Sequence, residues 1–159
     1  MTETVYIETS ILGHLTARPS QNVILIANME ITRQWWEDHK HNFDLYISQI
    51  VLDEVAQGDQ EIAIKRLELV KDFPLLNIEQ SAINLANKFL NQSNLPPKAS
   101  DDALHIAIAT IYELDYLLTW NCKHIANAQI QRKLSQISLD FGYKLPILCT
   151  PYELIGESL

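Results

Sequence analysis

Tyr116-Leu117-Leu118-Thr119 is the stretch on which the fold turns. Three apolar or aromatic side chains follow one another without alternation, and the run stops on a small polar residue. A strand with one face in water alternates apolar and polar residues, whereas an unbroken run suits a strand covered on both faces, as in parallel sheets. The flanking segments agree with that reading. Before it, an apolar helix over about residues 100 to 113 carries Ile106, Ala107, Ile108, Ala109 and Ile111 on most of its sides, so it should be buried. After it come a short turn and a helix from about 127 to 139. Lys144 to Leu148 then gives a last strand, and Pro151 opens a small terminal helix.

The same alternation runs back to the N-terminus. Val5-Tyr6-Ile7 is a short β-rich run with Glu8-Thr9-Ser10 directly after it. A short helix over 9 to 17 breaks near Arg18-Pro19-Ser20. A long helix follows over 21 to 40, capped by Ser20 or Asn22. Phe43 to Ile47 is strand-like, and Ser48 is the expected N-cap of a helix over Gln49 to Gln57 that Gly58 stops. Asp59 caps the next helix, to Val70; Pro74 to Ile78 is a short strand; residues 79 to 92 are helical; Asn94-Leu95-Pro96-Pro97 is a loop. Strands alternating with helices predict an α/β fold: a single domain over 1–159, built as a three-layer α/β/α sandwich around a central parallel sheet, with right-handed crossovers.

The chain's 159 residues suit one domain, and 47% hydrophobic with 20% charged residues is a globular composition. Its formal net charge of -8 argues against holding nucleic acid by bulk electrostatics, since that requires Lys and Arg to displace counterions. A nucleic-acid substrate would need positive charge supplied locally, by a metal ion or a partner's surface. Cys122 and Cys149 lack metal-binding spacing, and so few cysteines suit a reducing compartment. With no signal-peptide pattern at the N-terminus and no apolar run long enough to span a bilayer, the expected location is the cytoplasm, with no membrane partner.

In open parallel sheets ligands bind at the carboxyl ends of the strands, near the reversal of strand order. Glu8, Ser48, Thr119 and Asn121 follow the expected strands and should share that rim. On the helix after Ser48, a 100° step per residue places Glu54 at the edge of the arc of Ile50, Val51, Leu52 and Val55, and turns Asp53 toward water. Asp101 and Asp102 open the buried helix, with His105 within one turn of both. Periodicity leaves open which of the two faces the site, and the helix dipole alone accounts for acidic residues there. Glu54 alone reads as a rim charge, His105 as a hydrogen-bonded core histidine, Thr119-Trp120-Asn121 as turn chemistry, and Trp35 and Trp36 as residues that pack or lie at a protein contact, ahead of a stacking platform for bases. Glu8 resists such a reading, because a charge ending a buried strand is costly unless paired or metal-bound. Together Glu8, Glu54 and Asp102 would bring three negative charges close, and a divalent cation would offset their repulsion. All-oxygen ligands favour a hard ion, Mg²⁺ or Mn²⁺.

Val5-Tyr6-Ile7-Glu8-Thr9-Ser10, Ser48 to Glu54, Lys98 to His105 and Leu117 to Asn121, in this order, resemble the PIN-domain nucleases, in particular the toxins of VapC-type toxin–antitoxin pairs. The resemblance covers about residues 4 to 151. It implies a parallel-sheet sandwich and a metal-dependent endoribonuclease acting on RNA, with an antitoxin protein as partner and a homodimer as the assembly. Carried over, Glu8 and Asp102 are the main metal ligands, and Glu54 helps hold the ion or orients the attacking water. Thr119 and Asn121 position ligands or phosphate, His105 hydrogen-bonds a carboxylate, and Lys123 or Arg18 contacts the RNA backbone. Two positions depart from the family: Glu8 stands where Asp is usual, and the neutral Asn121 stands where Asp is frequent. The second departure favours the alternative of a PIN-fold module that binds RNA or protein without cleaving. An enzyme acting on a phosphorylated small molecule is disfavoured by the lack of a Gly-rich phosphate loop.

Overall fold

The structure, a computed structural model, describes residues 1–155; positions 156–159 of the expected 1–159 domain lie outside the described residues. Five strands form one sheet: β1 (Glu3–Ile7), β2 (Phe43–Ser48), β3 (Leu75–Leu76), β4 (Tyr116–Leu118) and β5 (Ile147–Cys149). Their order is β3-β2-β1-β4-β5, and every neighbouring pair is parallel. Seven α-helices accompany them among the described residues: α1 (Thr9–Thr16), α2 (Val23–Asp38), α3 (Gln49–Val55), α4 (Gln60–Val70), α5 (Gln80–Gln92), α6 (Ser100–Ile111) and α7 (Ala128–Asp140). Helices α1 to α4 pack on one another, as do α5 to α7, so the sheet lies between two helical layers. This is the expected three-layer sandwich. None of these helices is long and apolar enough to cross a membrane.

The apolar runs explain the centre of the sheet. Val5, Tyr6 and Ile7 of β1 and Leu117 and Leu118 of β4 are fully buried, because helices cover both faces of these strands. The chain winds outward from β1 through β2 to β3, then returns across β1 to lay down β4 and β5. Strand order therefore reverses between β1 and β4, and in open parallel sheets the carboxyl ends beside such a reversal are where ligands bind. Trp35 and Trp36 are packed as expected: Trp35 stacks on Phe43 and donates its Nε1–H to Leu154 O at 3.2 Å.

Several local expectations shift. Asn22, rather than Ser20, caps α2 by accepting the Leu25 N–H at 3.1 Å. Asp59 caps α4 as expected. Ser48 stands at the N-cap of α3, yet its hydroxyl makes no capping bond and instead meets the Tyr6 hydroxyl at 2.7 Å. The last strand begins at Ile147, not Lys144. Pro146 has no N–H to give the ladder, and pairing starts with Ile147 N–H donating to Asp115 O at 3.0 Å. After it, Pro151 opens a single 3-10 turn, Pro151–Leu154, whose Thr150 and Glu153 form a capping box.

Helices α6 and α7 end alike. Glu113 N–H donates to Thr110 O and Leu114 N–H to Ala109 O; Gly142 N–H donates to Leu139 O and Tyr143 N–H to Ser138 O. Both are Schellman ends, with the residue after the cap in the left-handed region. At α7 that residue is Gly142, φ +82°, but at α6 it is Glu113, φ 57°, where a Cβ is strained.

Candidate metal centre

Glu8 leaves the end of β1 with 5% of its surface exposed. A carboxylate so placed needs donors. Ser10 and Thr119 each donate a hydroxyl to its Oε1, both at 2.5 Å. Thr119 follows β4, so the two central strands converge on one carboxylate oxygen. Thr119 Oγ1 also accepts the Asn121 N–H at 2.9 Å, and Ser10 Oγ accepts the Trp120 N–H at 2.8 Å. Each hydroxyl thus donates to Glu8 while a backbone amide fixes its orientation.

Glu54 comes from α3, the helix after β2. Its Oε1 accepts from Thr9 Oγ1 at 2.6 Å and from His105 Nε2 at 2.6 Å. Among the described residues no hydrogen bond reaches Oε2 of Glu8 or of Glu54, so each carboxylate is anchored through one oxygen and offers the other. Asp53 is exposed and accepts from Gln49 Nε2, in keeping with the helical wheel.

His105 is fully buried on α6. Because a carboxylate has no proton to give, Nε2 carries the proton of the Glu54 bond. On the other side, Nδ1 meets the Tyr6 hydroxyl at 2.6 Å, and Tyr6 in turn meets Ser48. Ser48, Tyr6, His105, Glu54 and Thr9 form one hydrogen-bonded chain running from the sheet interior to the rim. Burial opposes the charged form of His105, yet the Glu54 bond and the negative charges of Glu8, Glu54 and Asp102 outweigh it and hold its pKa above the ordinary value. Burial likewise opposes ionisation of Glu54, but the bond and charge of His105 and the Thr9 hydroxyl hold its carboxyl below the usual range. Burial pushes the Tyr6 phenol upward, so it stays neutral.

One ligand atom from each of Glu8, Glu54 and His105 can be chosen so that all three lie within 4.8 Å of one another. Asp102 stands outside that group. It is half-buried, and its Oδ2 accepts from His124 Nδ1 at 3.0 Å, while Asp101 is exposed in the first turn of α6. The Asn121 Oδ1 accepts the His124 N–H at 2.9 Å, and Asn121 O accepts the Ile125 and Ala126 N–H groups. Asn121 therefore organises a turn that presents His124 to Asp102. Arg18, the other candidate for the RNA backbone, is exposed and pairs with Asp59 at 2.8 Å.

Sequence reasoning missed Tyr6, Thr9, Ser10 and His124 as members of the cluster. Ser10 and Thr9 sit beside Glu8 in the sequence, and their hydroxyl chemistry was the available signal. His124 lies three residues after Asn121, the spacing of a capped turn. Nothing local marks Tyr6, whose hydroxyl reads as one more side chain in an apolar strand.

The donor set fits a divalent cation. Glu8 and Glu54, each anchored through one oxygen with the other free, supply oxygen ligands of the kind a hard cation takes, while Asp102 lies outside their group with its Oδ2 held by His124 Nδ1. Since the His105 Nε2 proton is committed to Glu54, its place is that of a ring orienting a carboxylate.

No family model matches the chain, and no curated protein matches its sequence. Its fold does match solved structures. The crystal structure of Mycobacterium tuberculosis VapC20, described as a Sarcin-Ricin loop cleaving toxin, superposes with a TM-score of 0.55 at 12% identity, covering 75% of this chain and 91% of that one. The structure of FitAB bound to the IR36 DNA fragment gives a TM-score of 0.53 at 12% identity, covering 96% and 99%. Identities this low carry the architecture and leave activity to be argued from the site. The chain therefore has a PIN-like three-layer α/β/α fold, similar to that of VapC20.

Proposed function

We propose that this chain is a VapC-type PIN-family toxin: a metal-dependent endoribonuclease that hydrolyses RNA phosphodiester bonds and is restrained by an antitoxin protein. The observation that carries this reading is the meeting of Glu8, Glu54 and His105 at the carboxyl ends of β1 and β2, beside the reversal of strand order. Glu8, Glu54 and Asp102 would hold Mg²⁺ or Mn²⁺. Bound there, a divalent cation supplies a Lewis acid for a phosphoryl oxygen and offsets the carboxylates' mutual repulsion. The chain's own residues do the positioning: Ser10 and Thr119 fix Glu8, Thr9 and His105 fix Glu54, and Glu54 orients the attacking water. Asn121 aims His124 at Asp102.

Similarity in fold to VapC20, a toxin that cleaves the Sarcin-Ricin loop, supports the choice of RNA, and similarity to FitAB supports a place in a two-component pair. A homodimer is part of the same reading; light scattering on the purified chain should return twice the 18.2 kDa monomer mass.

The test is incubation with a mixed RNA pool in Mg²⁺, in Mn²⁺ and in chelator. Cleavage should require metal and vanish in Asp102→Asn and Glu54→Gln. Calorimetry should find Mn²⁺ binding that weakens in both variants; no measurable affinity in the wild type would remove the mechanism. A second reading, a module that binds RNA or protein without cleaving, draws on Asn121, which is neutral and has its Oδ1 committed to the His124 N–H. Binding without cleavage in every condition would select it.

A further inference from the structure

On the far side of His124 from Asp102 runs a groove of about 940 Å³, walled by the loop before α6, the turn after β4, and α7. Lys98, Lys123, Arg132 and Lys133 line it, and no Asp or Glu does. One third of the chain's 12 Lys and Arg residues thus face one concavity in a protein of net charge -8. Arg18, Arg33 and Lys71 are held by carboxylates, whereas none of these four makes a salt bridge among the described residues. Their charge is free for a ligand. His124 joins the two regions, since it lines the groove and holds Asp102 through Nδ1.

We infer that this groove binds the sugar–phosphate backbone of single-stranded RNA and seats the strand on one side of the bond to be cleaved. The carboxylates by themselves repel a polyanion. Unpaired cations in a concave wall attract it, because phosphates exchange condensed counterions for Lys and Arg and the concavity focuses the field. The positive charge that the overall composition lacks is therefore supplied by the chain's own fold, rather than by a metal or a partner alone. The delivery of the strand to the carboxylates rests on the nuclease reading; the binding itself does not.

The experiment is fluorescence anisotropy with labelled oligouridylate, in chelator so that no cleavage intervenes, over a salt series. Neutralising four phosphates gives a slope of log K against log salt of about −3, from roughly −0.7 per phosphate for a single strand. Lys123→Glu with Arg132→Glu should weaken binding at least tenfold and flatten the slope by about 1 to 1.5. Lys123→Gln with Arg132→Gln should move both in the same direction by less. Lys65→Glu with Lys144→Glu, equal in charge change but outside the groove, should leave binding near wild type. The inference falls if the groove pair binds like wild type, if the outside pair weakens binding equally, or if the wild type binds no RNA. It also falls if polyglutamate binds more tightly than the oligonucleotide, which would assign the groove to an acidic protein segment. Wild-type binding without cleavage in Mn²⁺ would remove the nuclease and leave the groove, whereas cleavage unaffected by the groove pair would do the reverse.

Discussion

Tyr6→Phe tests the buried chain behind Glu54 while leaving the aromatic ring in place. The single oxygen removed serves two partners, Ser48 Oγ at 2.7 Å and His105 Nδ1 at 2.6 Å, and all three residues are fully buried. An orphaned buried polar group costs about 1–3 kcal/mol, and the substitution orphans two, while sparing the desolvation of the phenol itself. The expected loss is about 2–4 kcal/mol. With a urea m-value of about 2 kcal/mol/M for a chain of this size, the unfolding midpoint should fall by about 1 to 2 M at unchanged slope. Ser48→Ala alone should cost about 1–2 kcal/mol, because Tyr6 keeps its bond to His105. The double variant should then cost clearly less than the sum, since it removes a hydroxyl that the first change had already stranded. A Tyr6→Phe protein within 0.5 kcal/mol of wild type, or strict additivity in the cycle, would refute the idea that this hydroxyl ties β1, β2 and α6 together.

Thr119→Val removes one of the two hydroxyls that orient Glu8, and loss of such an outer partner costs roughly 10- to 100-fold in metal affinity; calorimetry with Mn²⁺ should show it, and unchanged affinity would deny Thr119 its role. Burial, aided by the Glu153 charge, pushes the Cys149 thiol up to about 12, while Cys122 is exposed, so a thiol reagent at pH 8 should titrate one of the two cysteines in the native protein and both in denaturant. Equal rates for both would contradict the packing of β5. Glu113→Gly should stabilise by about 0.5–1 kcal/mol, as relief of left-handed strain of roughly 1–2 kcal/mol exceeds the entropy glycine adds to the unfolded chain. A lowered thermal midpoint would show that the Glu113 side chain contributes more than its backbone costs.

The site was partly legible because helices and strands advertise which way residues point. Glu54 and Asp53 are neighbours, yet a helical wheel separates them, and Glu54 indeed turns inward while Asp53 stays exposed. Glu8 and Thr119 were visible as polar residues ending buried strands, and they share a hydrogen bond across 111 positions. For Asp101 and Asp102 the wheel had no answer, since the apolar character of α6 extends around most of the helix. Only its packing turns Asp102 inward and leaves Asp101 in water. Two cations, Lys123 and Arg18, are candidates from the sequence for contact with the RNA backbone, and Lys123 lines the groove. The other, Arg18, forms an ion pair with Asp59, which lies far away in the sequence.

From the sequence by itself come the element types and order, most of their limits, and the parallel layering, because periodicity, caps, prolines and glycines act within a few residues. The tertiary structure alone decided that β1 lies between β2 and β4, that His105 meets Glu54 and Tyr6, that Asp102 pairs with His124, and that four cations share one groove. Those are contacts between residues tens of positions apart. Their geometry depends on strand order and on the rotation of each helix against the sheet, and the repeat of any one segment records neither.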